Sequence, residues 1–243
     1  LPLVLTADGN LVRAADARVA STELASLYAG LDANRPVVAH GSVDALPERL
    51  RARLAIAAFD PARLVDDLQG DMRSQLLERE APLLSALGAL ETTALDRLRD
   101  VPILRDSTGA RRAVKEGLVD LAPCLDALAP SLAQLVPVLD PELRRTHPAL
   151  VARWVPAFGL DELADALDAG LRLAPKPARQ LASLLDTRAT ELSRGLARRL
   201  ASHPLFDDAH GALRPLRGEG RALFAGDASL REAMPAWPWL ADP

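Results

Sequence analysis

A chain of 243 residues that is 49% hydrophobic, 26% charged and 3% aromatic reads as a soluble globular protein and excludes disorder. Its 29 basic and 33 acidic residues leave a formal charge of −4, and no apolar run approaches the roughly 18 residues of a membrane span. The single cysteine, Cys124, excludes a disulfide framework and a cysteine-based zinc site and suits a reducing, cytoplasmic compartment. Lys115 and Lys176 are the only lysines in an arginine-rich chain, the mark of a G+C-rich genome. Leu1 begins no charged-then-apolar leader, so the expectation is a fragment cut from a longer protein.

In chain order, Leu1-Pro2-Leu3-Val4-Leu5, a turn through Asp8-Gly9 and Leu11-Val12 predict a β-hairpin. Residues 22–31 predict an amphipathic helix, Val37-Val38 a short strand, and Leu46, Leu50 and Leu54 a helix, followed by another carrying Leu64 and Leu68. A last helix over Leu83, Leu84, Leu87, Leu90, Leu95 and Leu98 leads into Val101-Pro102-Ile103-Leu104, where the series restarts. Gly109 stands seven residues after Pro102, as Gly9 does after Pro2 and Gly211 after Pro204. Fixed spacing of this kind fits a turn that needs φ > 0. The second series has its amphipathic stretch at 123–132 and its strand at Val138-Leu139. Its last helix runs over Leu181, Leu184, Leu185, Leu192, Leu196 and Leu200. Pro36, Pro137 and Pro238 stand 101 residues apart, and Ala58-Phe59, Leu64 and Leu68 recur 99 residues on as Ala157-Phe158, Leu163 and Leu167. The expected organisation is therefore unit one at 1–100, unit two at 101–202 and a truncated unit three at 203–243. Each complete unit is ββαβ (hairpin, helix, strand) followed by several helices, a helix-dominant α+β class.

The cadence of apolar-Pro-apolar, turn glycine and helix, then Val136-Pro137-Val138-Leu139-Asp140 or Trp237-Pro238-Trp239-Leu240, resembles large sacsin-like proteins. These carry an ATPase domain of the ninety-kilodalton heat-shock-chaperone type. That ATP site needs an Asp-x-Gly-x-Gly box, and Asp8-Gly9-Asn10 and Asp106-Ser107-Thr108-Gly109 lack the second glycine. The resemblance implies a segment downstream of the ATPase, acting in coupling, scaffolding or client contact. No nucleotide-site residue carries over.

No residue set reads as catalytic, cofactor-binding or metal-binding. Gly218-Glu219-Gly220 with Gly226 fits neither a dinucleotide fingerprint nor a P-loop. Asp207-Asp208-His210 offers three donors at a hairpin tip, a placement that favours a turn over a metal site. His40, His147 and His203 are isolated, and Cys124 at a helix start reads as a small packed hydrophobe. An enzyme with dispersed acid/base groups would draw on Asp140, Glu142 or Asp207-Asp208.

Partner contact is the better-marked expectation. Residues 172–199 carry seven basic side chains, Arg172, Lys176, Arg179, Arg188, Arg194, Arg198 and Arg199, against Asp186 and Glu191. Such a stretch suits an acidic protein surface, and ranks it above nucleic acid because no aromatics for base stacking accompany it. Arg188, Arg194, Arg198 and Arg199 are the candidate basic contacts. Trp237 and Trp239 are the candidate aromatic anchors, for protein partners or for neighbouring repeats of the same chain.

Overall fold

Leu3, Val4 and Leu5 pair antiparallel with Arg13, Val12 and Leu11, making the first hairpin from β1 (Leu3–Leu5) and β2 (Leu11–Arg13). The computed structural model describes residues 3–6, 9–31, 36–54, 56–188, 190–208 and 210–217. After the hairpin comes β3 (Arg18–Ala20), a strand the sequence pattern does not announce. It is the middle strand of a parallel sheet with β4 (Val37–Ala39) and β5 (Ala57–Ala58) on either side. Parallel neighbours require a crossover. Between β3 and β4 it is α1 (Thr22–Tyr28), whose N-cap Ser21 accepts from the Leu24 N–H and whose inner face buries Leu24, Ala25, Leu27 and Tyr28.

Between β4 and β5 lie α2 (His40–Asp44) and α3 (Glu48–Leu54). The Leu46, Leu50, Leu54 spacing is thus divided between a loop and a helix, and α3 has no fully buried residue. α4 (Pro61–Gln69) starts where Asp60 caps it and Pro61 occupies its first turn; it buries Leu64, Val65 and Leu68. α5 (Arg73–Leu77), α6 (Glu80–Ala89) and α7 (Thr92–Asp96) complete the first series. The single last helix expected from leucine spacing is broken at Leu90, whose ψ of 151° is extended.

The second hairpin is β6 (Leu104–Arg105) with β7 (Arg111–Arg112). A 3₁₀ turn at Val114–Glu116 leads to β8 (Asp120–Leu121). The stretch 123–132 is a 3₁₀ segment, Pro123–Leu128, running into α8 (Ala129–Leu132). Next come α9 (Pro141–Thr146), α10 (Pro148–Trp154) and β9 (Ala157–Phe158), which is parallel to β8. α11 (Leu160–Asp168), α12 (Pro175–Thr187) and α13 (Arg194–Ala201) follow, then a third hairpin of β10 (Phe206–Asp207) and β11 (Leu213–Arg214). The fold is α+β and helix-dominant. No helix among the described residues is long and apolar enough to cross a membrane.

Contacts recur at spacings of 99 to 102 residues. Arg18 donates its N–H to the Pro36 carbonyl at 3.0 Å, and Val119 donates to Pro137 at 3.0 Å. Phe59, directly after β5, and Phe158, the last residue of β9, are both buried. α4 buries Leu64, Val65 and Leu68, while α11 buries Leu163, Ala164 and Leu167, each 99 residues on. Arg97 reaches Asp66 at 2.7 Å, and Arg199 reaches Asp165 at 2.5 Å.

The chain packs as two bodies, and their limits are offset from the sequence register. Leu1–Leu118 with Leu139–Pro156 forms the first; Val119–Val138 with Ala157–Pro243 forms the second. The offset has a physical origin. Ile103 and Leu104 of the second hairpin and Leu150, Val151 and Trp154 of α10 bury in the same core as Leu27, Leu64, Leu83 and Leu87. A smaller cluster of Val4, Ala14, Ala17 and Val38 holds the first hairpin. The second body has its own core, around Leu125, Leu163, Leu181 and Leu200. Each fully buried leucine contributes about 1.5–3 kcal/mol over exposure.

Candidate partner-docking surfaces

The three hairpins are built on one polar residue apiece. Asp106 is 3% exposed and Asp208 1%, and Thr6 holds the same place in the first hairpin at 8%. Asp106 Oδ1 accepts the backbone N–H of Thr108 at 2.9 Å and of Ala110 at 3.0 Å, and the Thr108 hydroxyl at 2.5 Å. Its Oδ2 accepts from Arg112 Nε at 2.9 Å. Asp208 accepts from His210 N, Ala212 N and Arg214 Nε in the same pattern. Thr6 uses its hydroxyl on Asn10.

The glycine after each closes the turn at φ 81, 85 and 75 for Gly9, Gly109 and Gly211. Burial pushes the Asp106 carboxyl up. The bonds from Thr108, Arg112 and the turn amides outweigh it and hold the group below its ordinary value. For Asp208 the Arg214 bond is the largest cause and lowers it likewise. These carboxylates are spent on the fold. Asp207 is occupied as well, taking Arg179 Nε at 2.7 Å and Nη2 at 3.0 Å. The Asp207-Asp208-His210 trio is thus divided between two unrelated contacts.

The other polar candidates are also locally engaged. Asp140 caps α9 through the Glu142 N–H, and Glu142 pairs with Arg145. His203 Nε2 sits 2.8 Å from Asp168, and the Arg199 guanidinium, then His203, holds that carboxyl below its usual value. His147 lies at the junction of α9 and α10. Cys124, in the Pro123–Leu128 segment, packs partly buried against the second core. The side chain of His40 lies outside the described residues, as do Gly218, Gly220 and Gly226. No group of three or more histidine, cysteine, aspartate or glutamate side chains suited to a metal occurs among the described residues.

The structure divides the basic stretch. Arg199 is drawn to Asp165 and Asp168, Arg179 to Asp207, and Arg188 to Glu191. Arg194 and Arg198, both exposed on α13, carry no ion pair among the described residues, and neither do Arg172 and Lys176. The surplus of five charges counted along the sequence is thereby reduced, because the neutralising acids come from α11 and the third hairpin. Trp237 and Trp239 lie outside the described residues.

A polar concavity of about 420 Å³ in the first body escapes sequence reasoning. It is lined by Arg18, Phe59, Asp60, Arg63, Asp66 and Asp67. Arg63 lies 5.0 Å from the Tyr28 ring centre and 5.7 Å from that of Phe59, and its Nε is 3.4 Å from Asp67. Tyr28 donates its hydroxyl to Asp67 at 2.7 Å. Asp60 caps α4 and Asp66 meets Arg97 from outside the lining, so both carboxylates are engaged. Ninety-nine residues on, Gly159, Glu162 and Ala166 replace Asp60, Arg63 and Asp67. Of the polar lining carried by this segment only Asp66 persists, as Asp165. The only available signal was Tyr28, the one tyrosine of the chain, on the inner face of α1.

Among the described residues four of the five exposed large hydrophobic side chains lie in the first series, the fifth being Leu135 at 46% exposure. Leu3, Leu5, Leu11 and Leu50 are 54%, 54%, 66% and 48% exposed. One hundred residues on from Leu3 and Leu50 stand Ile103 and Leu150, exposed by 1% and 3%. Comparison of the chain with family models, with curated proteins and with solved structures finds no match.

Proposed function

We propose that this chain is a non-catalytic scaffold or client-binding segment of a large sacsin-like protein with a chaperone-type ATPase, built from tandem units of about one hundred residues. The observation that carries the reading is the contrast between Leu3 and Leu50, half exposed, and Ile103 and Leu150, buried in a core at the same register. A hairpin-and-helix face that elsewhere seals an α/β core is here open, which suits docking of a neighbour or of an unfolding client. The carboxylates available for acid/base work support it too, since Asp207, Asp208, Asp140 and Glu142 serve ion pairs, turns or caps.

The test is aggregation of a thermally unfolding model enzyme, followed by light scattering with the chain at equimolar ratio and no nucleotide. The chain is expected to delay scattering, and Leu5→Asp with Leu11→Asp and Leu50→Asp to abolish the delay. No delay with the parent chain, or one that survives the triple substitution, would overturn the reading.

A further inference from the structure

The second body holds an apolar cleft of about 310 Å³, lined by Leu185, Leu192, Ala197, Ala201, Phe206 and Leu216, with Asp186 at its edge. One hundred and two residues before these six stand Leu83, Leu90, Leu95, Arg99, Leu104 and Val114. All but Arg99 are core residues of the first body, at 4% exposure or less. What covers that floor is α10. It packs on α6 and α7, and its Leu150, Val151 and Trp154 join the core. Its Arg153 donates an Nη2 hydrogen to the Leu90 carbonyl at 2.7 Å. The second body repeats the floor, with α12 and α13 in place of α6 and α7, yet has no counterpart of α9 and α10 among its described residues.

We infer that the cleft is a docking groove for a helix pair of the α9–α10 type, the third such pair in the register. The sequence marks the place. α9 opens on Asp140-Pro141, with Asp140 as its cap, and 102 residues later stands Asp242-Pro243. An occupant with the sequence of α10 presents a leucine and a valine in adjacent positions with a tryptophan one turn on, and an arginine just before the tryptophan. That arginine meets the Leu192 carbonyl, as Arg153 meets Leu90. Asp186, exposed and without an ion pair among the described residues, gives it an acidic neighbour. The inference rests on the tandem-unit part of the proposed function and not on its chaperone part, so the aggregation assay can fail while this one succeeds.

The experiment is a titration of the 243-residue chain into a fluorescein-labelled peptide of residues 139–156, read by anisotropy. Saturable binding is expected. Ala197→Trp, which fills the groove, is expected to weaken it at least roughly tenfold, as is Trp154→Ala in the peptide. Leu192→Asp, in the loop before α13, gives a second variant, and circular dichroism melts verify that both variants fold. No saturation up to about 1 mM, or equal affinity for the parent and both folded groove variants, would overturn the inference. Equal affinity would mean that the peptide exchanges with the chain's own α9 and α10 in the first body.

Discussion

Arg112 Nε lies 2.9 Å from Oδ2 of the buried Asp106, and 102 residues further on Arg214 stands in the same relation to Asp208. In both hairpins the carboxylate also gathers the turn amides, so one side chain ties the turn to the returning strand. Truncating it leaves buried donors unsatisfied, and hydrogen bonds to a charged group are among the stronger ones. Asp106→Ala is therefore expected to destabilise the chain by about 2–4 kcal/mol, measured by urea unfolding. An unchanged midpoint would remove the central role given to this contact.

The same bonds fix a pH dependence. Both carboxyls titrate below their ordinary value in the folded chain. Between the folded and the unfolded pKa the unfolded chain binds more protons, so stability there rises with pH. The contribution is complete above the unfolded value, about 3.9, and is lost as pH falls below that through the lower folded value. Asp106→Asn with Asp208→Asn is expected to flatten the acid limb of a stability–pH curve below about pH 4. A limb of unchanged steepness would place the acid sensitivity elsewhere.

Glycine offers a test with opposite signs at two sites. Gly109 has φ 85, and a Cβ added there meets nothing within 4 Å, so Gly109→Ala costs only its left-handed backbone, about 1–2 kcal/mol. Gly88 lies inside α6, and a Cβ there also meets nothing within 4 Å. Gly88→Ala is expected to stabilise by about 0.5–1 kcal/mol, because alanine is the better helix former. Thermal melts of the pair distinguish the two effects, and a shift of the same sign in both would contradict the assignment.

The turns were the most legible part of the fold because a φ above zero all but specifies glycine, leaving Gly9, Gly109 and Gly211 as a countable mark. The strands β3 and β5 left no such mark. Ala57-Ala58 has no strand preference, and its pairing with Arg18 and Val19 is supplied by the sheet. Leucine spacing located helices without saying which face is covered: Leu50 and Leu150 occupy the same register, one exposed and one buried. Charge was misleading for a related reason. A count along 172–199 omits Asp165, Asp168 and Asp207, which reach Arg199 and Arg179 from other elements. The polar wall around Arg63 joins residues from α1, β3 and α4, too far apart in sequence to form a motif.

Arg194 and Arg198 then become the decisive pair for the acidic-surface expectation, since they are exposed and unpaired among the described residues while Arg188 and Arg199 are engaged. Reversing two such charges removes no ion pair among the described residues, so Arg194→Glu with Arg198→Glu is expected to leave stability within about 0.5 kcal/mol. If α13 meets an acidic protein surface, association of the parent chain with a polyglutamate matrix weakens steeply as salt is raised, because exposed charges are screened within about 10 Å at 0.1 M. The double reversal should abolish that retention, and Arg188→Glu should leave more of it in place. Retention that persists through the double reversal would show that α13 is not the contact, leaving Arg172 and Lys176 as the cations of the stretch still without an ion pair among the described residues.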